Sequence, residues 1–272
     1  MDNVLKVVFF DIDGTLIDPK TDFKIPESAM GAIRKLQRAG HLAVVNTGRT
    51  ASFMENCILD AGFDAMIYGC GTMITYRGEE LMHVSLEKNV VGRLIAFLRE
   101  CRIDGVLEGK EKCYFDYQGE IYDPEFKKLS QAAAYIRGDF EHVEAVDKLY
   151  VRKGEYSDFD RFYHEFKDEL QFIDRGKGFY ELVPVGYSKA TGMEYLIDYL
   201  KGQERGKENE RTVSMDFTYS IGDSTNDLPM LEAAGTSIAM GNSMEEILGK
   251  VTHVTKNIED DGIMYAIEKF IL

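Results

Sequence analysis

The sequence predicts an α/β fold: a doubly wound, mainly parallel sheet with a second, α+β domain inserted into it. Three observations carry this. Val7-Val8-Phe9-Phe10 is an unbroken apolar run, the mark of a strand buried on both faces of a parallel sheet. That run, the stretch His41 to Val45 and the stretch Asp216 to Ile221 each lead into a polar cluster containing glycine, with helical periodicity between them. From residue 85 to residue 185 the pattern changes: helices and strands still alternate, but no strand ends in such a cluster. Residues 1–84 and 186–272 therefore read as one discontinuous core, and residues 85–185 as the insert.

After the first strand, Asp11-Ile12-Asp13-Gly14-Thr15-Leu16 places two carboxylates at the strand's carboxyl end, where open α/β sheets bind ligands. Gly14 allows a sharp turn beside them. Ile25-Pro26-Glu27-Ser28 opens a helix, with Ala29, Ile33 and Leu36 at helical spacing and Gly40 as its stop. The second strand ends in Asn46-Thr47-Gly48-Arg49, completing a right-handed βαβ unit. A helix is expected over 51–61, a short strand over 65–68 and a hairpin about Arg77-Gly78-Glu79. In the insert, residues 86–102 form an amphipathic helix, 105–108 and 113–117 paired strands, and 149–151 a further strand. Residues 156–170 read as a helix with Phe159, Phe162, Tyr163 and Phe166 as a core stripe, followed by antiparallel strands at 172–174 and 179–183. The core resumes with a helix opening at Lys189, for which Ser188 is a good N-cap. A polar surface loop over 201–211 precedes the strand that ends in Gly222-Asp223-Ser224-Thr225-Asn226-Asp227.

Composition narrows the function. The 272 residues carry a net charge of -15, which argues against nucleic-acid and anionic-membrane partners, since both need a basic surface. An anionic ligand must then be received by local cations. No apolar run approaches membrane-spanning length, and the first residues show no secretory signal. Cys57, Cys70, Cys101 and Cys113 form no C-x-x-C pair and read as free thiols of a reducing, cytoplasmic compartment. The five histidines are scattered without metal-ligand spacing.

Two acids beside a buried strand are costly without a partner, and a hard divalent cation such as Mg²⁺ suits them. Thr47 with the Gly48 amide can hydrogen-bond a phosphoryl oxygen. A lysine in the first turn of a helix opposes the helix dipole unless an anion shares that helix end, which marks Lys189. The G-D-x-x-N-D run crowds Asp223, Asn226 and Asp227 at another strand end.

The run ending in D-x-D-G-T-L resembles the first motif of the haloacid dehalogenase-like hydrolases. Thr47, Lys189 and the 222–227 run resemble the second, third and fourth motifs, in the family's order. More narrowly the chain resembles the Cof-type phosphatases, whose large α/β cap lies between the second and third motifs. It departs from them at Asn46 (usually Ala), Cys70 (usually Asn before Gly71) and Ala190 (usually Gly). The resemblance implies a Mg²⁺-dependent phosphatase that hydrolyses a small phosphorylated metabolite, such as a sugar phosphate, through an aspartyl phosphate. Asp11 would be the nucleophile, Asp13 the general acid and base, and Lys189 the neutralising cation. Thr47, Gly48, Lys189 and Asn226 would hold the phosphoryl group. Mg²⁺ would be held by Asp11, Asp223 and the main-chain carbonyl of Asp13, with Asp227 orienting a ligand or binding the metal itself. Tyr114, Tyr117, Tyr122, Arg137 and Lys177 are the cap's candidates for contact with the leaving group. The alternatives are a phosphosugar mutase and a non-catalytic phosphometabolite-binding protein.

Overall fold

The computed structural model describes residues 3–18, 24–131 and 137–272, with the side chains of 125, 129–131 and 137, and so that of Arg137, outside the description. Strands β1 (Val7–Phe10), β2 (Leu42–Asn46), β3 (Ala65–Tyr68), β4 (Met73–Tyr76) and β5 (Glu79–His83) come first. Then follow β6 (Asp104–Glu108), β7 (Cys113–Phe115), β8 (Arg137–Asp139), β9 (Lys148–Arg152), β10 (Leu170–Asp174) and β11 (Phe179–Pro184), and lastly β12 (Thr218–Gly222), β13 (Thr236–Ala239) and β14 (His253–Val254). They form two sheets, in the orders β14-β13-β12-β1-β2-β3-β4-β5 and β10-β11-β9-β6-β7-β8.

The chain divides into two compact units: residues 1–48, 55–82 and 188–272, and residues 49–54 and 83–187. In the first, β14 through β3 run parallel, and β4 pairs antiparallel with β3. Central β1 is buried at all four residues. Val7 and Phe9, with Val44 and Ile67 beside them, pack against Met193, Leu196, Ile197 and Leu200 of the helix Lys189–Glu204. Val8 and Phe10 alternate to the other face and are equally buried. Each such side chain contributes about 1.5–3 kcal/mol on burial. Phe10 is level with both Val45 and Ile221, so the residues that follow, Asp11, Asn46 and Gly222, emerge together at one edge.

The second unit's sheet is antiparallel except for the pair β7 and β8. One face, with Leu107, Leu149, Val151 and Leu182, packs against Leu94, Leu98, Phe162 and Phe166. The other carries Val106, Phe115, Tyr150 and Phe179, with Phe53 and Phe126 against it.

Several expected boundaries move. The helix expected over 51–61 is a 3-10 turn Ala51–Phe53 and a short helix Asn56–Leu59, with Met54 and Glu55 extended between them. Tertiary contacts take the first part: Ser52 Oγ donates to the Gly109 carbonyl at 2.6 Å, and Phe53 joins the second unit's apolar cluster. The aromatic helix is only Phe159–Phe166, because Leu170 joins a strand opposite Pro184. The polar stretch from Lys201 continues its helix to Glu204, which is buried where Arg211 reaches it at 2.8 Å. Asp216 lies in a 3-10 turn capped by Ser214, so β12 starts at Thr218. Among the described residues no helix is long and apolar enough to cross a membrane.

Candidate active site

Asp11 continues β1, its N–H donating to the Ile221 carbonyl at 3.0 Å. The chain then turns through Gly14, at φ +82°. A Cβ on Gly14 would lie 2.3 Å from Oδ2 of Asp223, so only glycine lets this loop approach the Asp223 carboxylate. Asn242 holds the loop from outside, donating to the Gly14 carbonyl at 2.8 Å while accepting the Ile258 N–H at 3.0 Å. Thr47, buried, follows β2; its N–H donates to Ile67 at 2.9 Å and its carbonyl accepts from Cys70 at 3.0 Å. Gly48 follows, half-buried.

Ser188 caps the Lys189 helix in a capping box with Thr191: its Oγ accepts the Thr191 N–H at 3.2 Å, and the Thr191 hydroxyl accepts the Ser188 N–H at 2.9 Å. The cap fixes where the helix starts, and the start sends Lys189 inward. Its ammonium is fully buried and donates to Oδ1 of Asp11 and Oδ1 of Asp227, each at 2.5 Å. Asp227 Oδ2 accepts the N–H groups of Asp223 at 2.9 Å and Ser224 at 3.0 Å. Asp227 thus organises both the 222–227 loop and the lysine. Asn226 is buried, its Oδ1 accepting from Ser224 Oγ at 2.6 Å.

Asp11, Asp223 and Asp227 bring one carboxylate oxygen each within 4.8 Å of the others; the Asp13 side chain is not part of this trio. Burial is the main force on Asp11 and pushes its carboxyl up to about 7, with Asp227 adding to the rise and Lys189 opposing it. Burial alone would lower the Lys189 ammonium, but Asp11 and Asp227 outweigh it and hold the group above its ordinary range. Three carboxylates against one ammonium leave a formal charge of −2. The donor set is all hard oxygen, so the site fits a divalent cation in both charge and chemistry.

Two contributors escaped the sequence reading. Asn242 lies in a Gly-Asn-Ser turn, and nothing local says what it holds. Asn46 is buried and donates to the Lys189 carbonyl at 2.9 Å, with no pattern to announce it. Of the five cap candidates, Tyr114 is a core residue whose hydroxyl accepts the Glu144 N–H at 3.2 Å, whereas Tyr117 and Tyr122 are exposed. Lys177 sits at a tight turn, at φ 52°.

Residues 8–267 match the family model of the haloacid dehalogenase-like hydrolases. The Bacillus subtilis protein YkrA is 27% identical over 97% of each chain. The 5-amino-6-(5-phospho-D-ribitylamino)uracil phosphatase YwtE of the same organism is 27% identical over 98% of each. The solved structure of the subclass IIB sugar phosphatase BT4131 shares the fold, with a TM-score of 0.79 and 21% identity over 97% of this chain and 98% of that one. A motif set in family order, a parallel sheet with a separate mixed sheet, and a match along nearly the whole length lead to one conclusion: the chain belongs to the haloacid dehalogenase-like hydrolases, as a phosphomonoester-cleaving phosphatase of their Cof-type branch.

Proposed function

We propose that this enzyme is a Mg²⁺-dependent phosphatase of a small phosphorylated metabolite, a sugar phosphate or similar phosphomonoester, and that it works through an aspartyl phosphate. The observation that carries the reading is the buried Lys189 ammonium between Asp11 and Asp227, with Asp223 completing an acidic trio at the same sheet edge. Names borne by relatives, a ribitylamino-uracil phosphatase and a sugar phosphatase, support a polyol or sugar phosphate as substrate class. In this reading residues 1–84 and 186–272 are the catalytic core and 85–185 the cap.

Asp11 attacks phosphorus in line; the new Oδ–P bond forms as the P–O bond to the leaving alcohol breaks. Asp13 delivers its proton to the departing oxygen. The resulting carboxylate then takes a proton from water, whose oxygen attacks the aspartyl phosphate and releases orthophosphate with Asp11 regenerated. Lys189, the Thr47 hydroxyl, the Gly48 amide and Asn226 bind the phosphoryl oxygens over which charge spreads. Asp11, Asp223 and the Asp13 carbonyl would hold Mg²⁺, which when bound neutralises charge on the phosphoryl group. Asp227 orients Lys189 and the 222–227 loop.

The test is phosphate release from a panel of phosphorylated metabolites with Mg²⁺, run beside Asp11→Asn. Asp11→Asn should lose at least about 10³-fold in kcat with the fold intact, and a retained rate would remove Asp11 as nucleophile. Chelation should stop the wild type and added Mg²⁺ restore it; activity in excess chelator would contradict the metal site. Isomerised phosphorylated product in place of free phosphate would identify a mutase.

A further inference from the structure

Asn46 is the last residue of β2, one before Thr47, and is wholly buried. Its Nδ2 donates to the main-chain carbonyl of Lys189 at 2.9 Å, while its Oδ1 is buried with no hydrogen-bond partner. An amide kept only for core stability would have both ends paired, because a buried acceptor without a donor costs free energy. Turning the amide over would set Oδ1 against the Lys189 carbonyl, acceptor against acceptor. The one bond the side chain makes therefore decides its orientation, and that bond ends on the backbone of the residue whose Nζ lies 2.5 Å from both Asp11 and Asp227.

The same helix start is packed closely from below. Gly71 has φ +92°, and a Cβ there would lie 2.4 Å from the Ser188 carbonyl oxygen. A Cβ on Gly192 would lie 2.6 Å from Cγ2 of Ile67. Such contacts limit how near the helix comes but do not set its rotation about the contact. A directional hydrogen bond does.

We propose that Asn46 is a positioning residue for the reaction: by tethering the Lys189 carbonyl to the end of β2, it sets where the Lys189 ammonium stands between Asp11 and Asp227. This rests on the role proposed for Lys189. Small displacements of a charge-stabilising group lower turnover far more than they lower binding or stability.

The experiment compares Asn46→Ala, Lys189→Ala and the double variant of the full chain by kcat and KM for p-nitrophenyl phosphate with Mg²⁺, and by thermal unfolding. Asn46→Ala should lower kcat roughly tenfold with KM within about twofold. Its Tm should stay within about 2 °C of wild type or rise, because the unpaired Oδ1 is removed with the tether. In the Lys189→Ala background the same substitution should change kcat by less than about twofold, the signature of two residues acting as one unit. An unchanged kcat in Asn46→Ala, an equal loss in both backgrounds, or activity lost only in step with Tm would overturn the proposal. If Lys189→Ala is crippled and Asn46→Ala is not, the positioning role alone fails. If Lys189→Ala itself turns over normally, the role of Lys189 fails first and this inference with it.

Discussion

Two lysines of this chain are buried between two carboxylates, one in each unit, and they are built differently. Lys148 lies on β9, directly opposite Glu108 on β6, with Glu181 on the neighbouring β11. It pairs with Glu181 and lies 3.4 Å from Glu108, whose Oε2 is 3.5 Å from the Thr50 hydroxyl. All three side chains come from regular strands whose ladders hold them in register. Lys189 instead stands at a helix start, and its acids come from the turns after β1 and β12. The Lys148 set is one charge short of neutral and the Lys189 set, with Asp223, two. The same residue types thus make one ion pair between paired strands, where the start of β9 meets the end of β6, and another at the turns of a sheet edge, where loops can leave charge for a ligand to complete.

The largest effect expected from this contrast is on turnover. Lys189→Ala should lower kcat/KM on the order of 10²-fold or more, and an unchanged value would remove Lys189 from the chemistry. Lys148→Met should leave kcat within about twofold but cost about 3–5 kcal/mol of stability in urea unfolding, since two buried carboxylates lose their cation. Wild-type stability with lost turnover would put both lysines in one class.

The smallest effect is on pH dependence. Burial raises the Glu108 carboxyl above its ordinary range, with Lys148 opposing and Glu181 adding to the rise. The folded chain then holds that proton at pH values where the unfolded chain has released it. The stabilisation is complete below the ordinary glutamate pKa and is lost as pH rises through the raised one. Glu108→Gln should therefore flatten the fall in stability as pH rises above the ordinary glutamate range. An unaltered slope would show that Glu108 titrates alike in both states.

Much of this was legible in the residues. Val7–Phe10 is apolar at every position because β1 is the sheet's centre, so its end, and Asp11, could be placed without coordinates. Ser188 announces a helix start and therefore the depth of Lys189 in it. The helix over 51–61 misled because its periodicity is real, yet Ser52 and Phe53 find stronger partners far along the chain. Likewise Glu204 reads as solvated until Arg211, seven residues on, covers it.

Strand period, caps and glycine turns are local properties, and they were enough to place the order of the elements, the sheet edge where the acids gather and the family resemblance. The full burial of Lys189 between Asp11 and Asp227, the approach of Gly14 to Asp223 and the reach of Asn46 to the Lys189 backbone come instead from contacts between distant parts of the chain. Asn46 and Lys189 are 143 residues apart, and a contact of that span depends on sheet register and helix placement, which no local pattern encodes.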